Sequence, residues 1–108
     1  VFLFLLPDNY RMLLRIHQSA DNKEIIGLCD RELIGKTYSE GEISVAINEA
    51  FFGNQPASEE EVIRVLMTGD NITIFGKRCV DLAVSHGILE PDSCRLIDGI
   101  PYTTIIRI

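Results

Sequence analysis

Between Ser58 and Gly87 the spacing of apolar residues changes twice, and that change limits the folds open to this chain. Val62, Val65 and Leu66 recur at helical spacing after a capping signal. Ser58 stands at the N-cap, Glu61 completes a capping box, and Glu59 and Glu60 suit the positive end of a helix dipole. The spacing predicts a helix over Ser58–Thr68, stopped by Gly69. Ile72–Phe75 is a short apolar run with strand character. Val80, Ala83 and Val84 then form the inner stripe of a second helix over Lys77–His86, in which Cys79 and Leu82 read as core; Gly87 and Pro91 follow it.

On both sides of this block the period is two. Leu14 and Ile16 alternate with Leu13, Arg15 and His17 in a strand over Met12–Gln18. The Ser19-Ala20-Asp21-Asn22 turn returns the chain into Glu24–Cys29, which predicts an antiparallel hairpin. Ile43, Val45 and Ile47 alternate with Ser44, Ala46 and Asn48 in a further strand, with Phe51-Phe52-Gly53 continuing or ending it and Asn54-Gln55-Pro56 breaking it. At the end Arg95–Ile97 and Pro101–Ile108 flank Asp98-Gly99, a strong hairpin turn. The order of strands, helix, short strand, helix and strands predicts an α+β domain: a mostly antiparallel sheet built from hairpins, with two main helices packed on one face. At 108 residues the chain holds one domain, read as an apolar extension over 1–11 and a core over 12–108.

Val1–Leu6 is apolar, ends at Pro7-Asp8, and is too short to span a membrane. It lacks the basic leader and cleavage site of a secretory signal. It is expected to pair as an edge strand or to bury against this or a neighbouring subunit. Cys29, Cys79 and Cys94 are odd in number and form no Cys-x-x-Cys pair, and His17 and His86 have no ligand-spaced partner. Neither a metal nor another cofactor is indicated, and free thiols point to a reducing cytoplasm. A net charge of -6 argues against an extended nucleic-acid surface.

The densest run of charge, glycine and hydroxyl groups is Cys29–Gly41. Asp30 is placed to cap a helical turn over Arg31–Ile34, with Gly35 as its left-handed stop. Gly35-Lys36-Thr37 matches the tail of a phosphate loop, but Asp30 stands where that motif needs a glycine, so nucleotide hydrolysis is rejected. Asp30, Glu32, Glu40 and Glu42 form an acidic cluster, of which Asp30, at a strand end, is best placed for function. Gly76, Lys77 and Arg78 open the second helix, where free backbone N–H groups and two bases favour an anion; Asn71 and Thr73 are read as adding polar groups from the same side. The candidate binding residues are therefore Asp30, Glu32, Lys36, Thr37, Asn71, Gly76, Lys77 and Arg78. No nucleophile with a neighbouring base can be identified from order alone, so no catalytic residue is assigned.

Cys29-Asp30-Arg31-Glu32-Leu33-Ile34-Gly35-Lys36-Thr37 resembles the signature of a family of small archaeal proteins, domain of unknown function (DUF) 424. Phe51-Phe52-Gly53, the Glu-rich helix start, Gly76 with Val80, and Gly99-Ile100-Pro101 match further family positions, so the resemblance spans Met12–Ile108. Two positions depart from it. Ile74 stands where members usually carry Asn, and Tyr102 stands where many carry His, so a role for that His is not available to this chain. The resemblance implies an archaeal cytosolic protein with a role near translation and supplies no reaction. Three functions are weighed. The first is a binding or adaptor module for a protein or ribonucleoprotein. The second is a small-molecule or metal-dependent enzyme using Asp30, Glu32 and Lys36. The third is a structural homodimer held through Val1–Leu6 and an edge strand.

Overall fold

The computed structural model describes residues 10–108, so the strand expected over Val1–Leu6 lies outside the described residues. Within them the chain is α+β, with eight strands and three helices. The expected hairpins form. β1 (Met12–Gln18) pairs antiparallel with β2 (Glu24–Asp30), and β7 (Arg95–Ile97) pairs with β8 (Ile100–Ile106). The main sheet is nevertheless mixed. Its order is β5-β1-β2-β6-β8-β7, and β2 runs parallel to β6 (Asn71–Phe75). Hairpin logic does not reveal this pair, because the two strands are distant in sequence and joined by a crossover.

Alternation along the strands assigns each face. Ile26 and Leu28 of β2, Ile72 and Ile74 of β6, and Met12 of β1 turn to one side. There α2 (Glu59–Thr68) and α3 (Lys77–Ser85) cover them with Val62, Leu66, Cys79, Val80 and Ala83. Each fully buried aliphatic side chain stabilises the fold by about 1.5–3 kcal/mol relative to exposure. The two main helices thus share one face, as their stripes predict.

The opposite face carries a second core that was not foreseen. Leu13, Cys29, Phe75 and Ile97 pack against Leu33, Ile47 and Phe52. The cover is a separate ribbon, β3 (Thr37–Glu40) against β4 (Ile43–Ala46), together with the short helix α1 (Glu49–Phe52). The end of the Cys29–Gly41 run is a strand, because Tyr38 packs on this core while Thr37, Ser39 and Glu40 stay exposed. Phe51 and Phe52 end a helical turn rather than a strand. Asn48, read as a strand residue, caps that turn by accepting from the Phe51 N–H at 2.9 Å. Pro56, read as the end of the Asn54-Gln55-Pro56 break, instead forms with Ala57 the two-residue strand β5 beside Met12 and Leu13.

Each main helix ends on a charge supplied by the sheet. At the C-terminus of α2 the Arg107 guanidinium donates to the carbonyls of Gly69 and Leu66, both at 2.6 Å. A cation there satisfies orphan carbonyls and opposes the negative end of the dipole. Arg107→Ala is expected to lower stability by about 1–2 kcal/mol. Urea unfolding checks this, with Arg107→Lys losing less because it keeps the charge but not the fork. The opposite case, a carboxylate at the start of α3, shapes the candidate site.

Candidate functional site

β2 and β6 lie side by side and parallel, and the chain leaves their carboxyl ends in opposite directions. After Asp30 it passes through a 3-10 turn (Arg31–Leu33) to the ribbon on one face; after Phe75 it passes through Gly76 into α3 on the other. Such a divergence opens a crevice at the strand ends, the usual place for a ligand in sheets with parallel pairs.

Asp30 fills the base of this crevice. It extends the Ile26–Leu28 row of β2, so its side chain points toward the helices, and it is only 4% exposed. One carboxylate oxygen accepts the Arg78 N–H at 2.9 Å and the other the Cys79 N–H, also at 2.9 Å. The Cys79 thiol hydrogen-bonds the same group. Gly76 occupies the N-cap position and has no side chain to cap with, so a residue of another element caps α3. The approach is close: a Cβ at Gly76 would lie 2.3 Å from the Asp30 carboxyl carbon, and φ there is +118°. Only glycine accommodates both conditions.

Asp30 therefore does not cap its own turn as expected; the Arg31–Leu33 turn has no side-chain cap. The backbone N–H groups read as an anion site for a ligand are engaged by the chain's own carboxylate. Burial raises the pKa of Asp30, while the Arg78 and Cys79 hydrogen bonds act in the opposite direction. Burial also pushes the Cys29 thiol up to about 12, with the charges of Asp30 and Glu32 adding to it. Cys79 moves the same way for the same reasons. Both thiols are fully buried and protonated, the environment of inert cysteines.

Above Asp30 lies an open hollow of about 530 Å³. Of the candidate residues, Glu32, Lys77 and Arg78 line it, together with Glu59, Asp81 and Ser85, over an apolar base that includes Met12 and Leu82. Both of its bases are paired. Lys77 reaches Asp81 at 2.9 Å, and Arg78 approaches Glu32 at 3.9 Å. The Asp81 partnership was legible as an i,i+4 pair on α3. The place of Glu59 was not, because it depends on how α2 lies against α3.

The remaining candidates lie elsewhere. Lys36 and Thr37 are exposed at the start of β3 and do not line the hollow shared by Asp30 and Glu32. Asn71 begins β6, at the other end of the strand, and lines a different hollow of about 810 Å³ near Arg107. Thr73 faces Thr104 across the sheet, their hydroxyls 3.5 Å apart. Asn71 and Thr73 share the face of Phe75, away from α3, and so do not join Lys77 and Arg78. His17 stacks on Phe51 at 5.3 Å, and its Nε2 lies 2.8 Å from the Phe51 carbonyl oxygen. The Ser85 Oγ and His86 Nδ1 both reach the Leu82 carbonyl, at 2.8 and 3.0 Å, closing the end of α3.

No helix among the described residues is long and apolar enough to cross a membrane. They contain no grouping of three or more His, Cys, Asp or Glu side chains arranged to hold a metal ion.

Comparison with known proteins places these features in context. The family model described as a protein of unknown function (DUF424) matches residues 17–108. A crystal structure of an uncharacterized conserved protein from Methanopyrus kandleri is similar, with a TM-score of 0.69 and 21% identity over 89% of this chain and 93% of that one. At that identity the likeness is one of fold. No curated protein matches the chain.

Proposed function

The chain belongs to the DUF424 family, and on that premise we propose that it is a binding module whose recognition surface is the hollow at the start of α3. The observation that carries this reading is the convergence of Glu32, Lys77, Arg78 and Asp81 around one opening, at the carboxyl ends of two parallel strands. These charges stand on a rigid base, since α3 is anchored from beneath by Asp30. Exposed ion pairs contribute little to stability. They exchange readily for pairing with a partner, and charge arrangement of this kind selects partners and sets association rates. The fitting partner is a protein or ribonucleoprotein segment presenting both signs of charge.

The test is affinity capture from native extract with the wild-type chain and a Lys77→Glu/Arg78→Glu variant, each with and without nuclease. Both side chains are exposed, so the thermal midpoint of the variant is expected to stay within a few degrees of wild type, about 1 kcal/mol or less. Partner recovery is expected to fall at least about tenfold, consistent with loss of two charge contacts. Unchanged recovery would rule out this surface. Nuclease sensitivity of the wild-type capture would assign the partner to RNA-containing particles, and insensitivity to protein.

A further inference from the structure

The hollow above Asp30 has a direction. On one side it is lined by Lys77, Arg78, Asp81, Leu82 and Ser85, a single stripe along the whole of α3. At 1.5 Å per residue it runs beside this helix for about 12 Å. Its volume of about 530 Å³, spread over that length, leaves a cross-section of about 45 Å². An extended strand with its side chains occupies about 4.8 by 10 Å, whereas a helix is about 10–12 Å across. The strand matches this section, and the helix is roughly twice too large for it.

Charge separates protein from nucleic acid. The carboxylates of Glu32, Glu59 and Asp81 line the hollow with the bases Lys77 and Arg78, so acids are in excess. That balance repels a phosphate backbone, which is anionic at every unit. A peptide carrying both signs meets complementary charge instead.

Spacing sets the order of those signs. Lys77 and Asp81 are an i,i+4 pair, one turn or about 6 Å apart along the helix. Alternate side chains of an extended strand lie on the same side, about 6.7 Å apart. An acidic and a basic residue separated by one position therefore reach Lys77 and Asp81 together. The apolar base of Met12 and Leu82 suits the methylene stem of the basic residue, whose charged head stays at the rim. We infer that the hollow takes an extended peptide segment of a protein partner with the pattern acidic–any–basic, an inference that rests on the hollow being the recognition surface and adds the class of partner.

Titration of the folded chain with the peptide acetyl-Ala-Glu-Ala-Lys-Ala-amide, followed by nuclear magnetic resonance, tests it. Saturable shifts are expected at the amides of Arg78, Asp81 and Leu82, with a dissociation constant in about the millimolar range, as suits two charge contacts. Three comparison ligands are expected to bind at least about fivefold more weakly: the peptide with Glu and Lys adjacent, the peptide with Lys in place of Glu, and a uridine pentanucleotide. In the Lys77→Glu/Arg78→Glu chain the order is expected to reverse, with the Lys-Ala-Lys peptide binding more tightly than Glu-Ala-Lys. Absence of saturable shifts on α3 overturns the inference, as does a preference that the variant leaves unchanged or tighter binding of the pentanucleotide. Recovery of the native partner judges the surface separately. Recovery lost in the variant while the peptide leaves α3 unmoved keeps the surface and removes the peptide; unchanged recovery removes both.

Discussion

Gly76→Ala is expected to destabilise the fold by about 3 kcal/mol or more, a drop in thermal midpoint of roughly 10 °C or more. Two causes act together. The backbone at Gly76 has φ +118°, which side-chain-bearing residues rarely adopt, and the new methyl would meet Asp30 at its carboxyl carbon and both oxygens. The carboxylate must move, and with it go the Arg78 and Cys79 hydrogen bonds that hold the first turn of α3. Thermal unfolding measures the loss, and amide exchange is expected to quicken first at the start of α3. Because the clash is with Asp30 itself, Gly76→Ala and Asp30→Ala should not add. The double variant is expected to lose less than the sum of the single losses by about 1 kcal/mol or more.

Asp30→Asn is the second large effect, a loss of about 2 kcal/mol at neutral pH. The substitution is isosteric, but an amide has one accepting oxygen where the helix start offers two N–H donors. One donor is left facing an NH₂ group in a buried site. The pH dependence has a definite sign. The pKa of Asp30 is raised by burial above its ordinary 3.8. Between that value and its folded value, the folded chain holds the proton more firmly than the unfolded one. The contribution of this group is therefore fully present below pH 3.8, is lost as pH rises through the folded pKa, and is constant above it. Asp30→Asn should remove that slope from the stability profile, so that its loss relative to wild type is larger below pH 3.8 than at neutral pH. Urea unfolding across the acid range, wild type against variant, measures both features.

Much of this arrangement was legible in the sequence, and particular residues show where legibility ended. Ser58 and Glu61 mark the start of α2, and the Ser58 hydroxyl accepts the Glu61 N–H as that spacing implies. Asp98-Gly99 fixed the last hairpin because few residue pairs tolerate positive φ at both positions. Such signals are local: the residues that carry them also make the contact. The parallel β2–β6 pair has no local signal, since its register is set by packing between segments far apart in sequence. Asp30 stands between the two cases. Read as part of the following turn it looked like a cap, an interpretation its residue type supports equally well. Read as part of the preceding strand it occupies the buried row after Ile26 and Leu28, where a carboxylate requires donors from another element. The alternation was in the sequence; the donors, the first N–H groups of α3, became visible only with the fold. The same step explains why two separate expectations merged. An acidic candidate at Asp30 and an anion site at Gly76–Arg78 are the two halves of one internal contact. The exposed charges around it, rather than the contact itself, are left to meet a partner. Lys36 and Thr37 were grouped with Asp30 by sequence proximity, but β3 carries them onto a different surface.

The claim on which the rest depends is that the Asp30 carboxylate is the internal cap of α3. Its most direct test is a pH titration by nuclear magnetic resonance that follows the Asp30 carboxyl carbon and the amide nitrogens of Arg78 and Cys79 together. The predicted result is one shared midpoint for all three signals, above the ordinary aspartate value of 3.8, with both amide shifts lost in Asp30→Asn. A carboxyl titrating at its ordinary value, with amides that do not respond to it, would contradict the account.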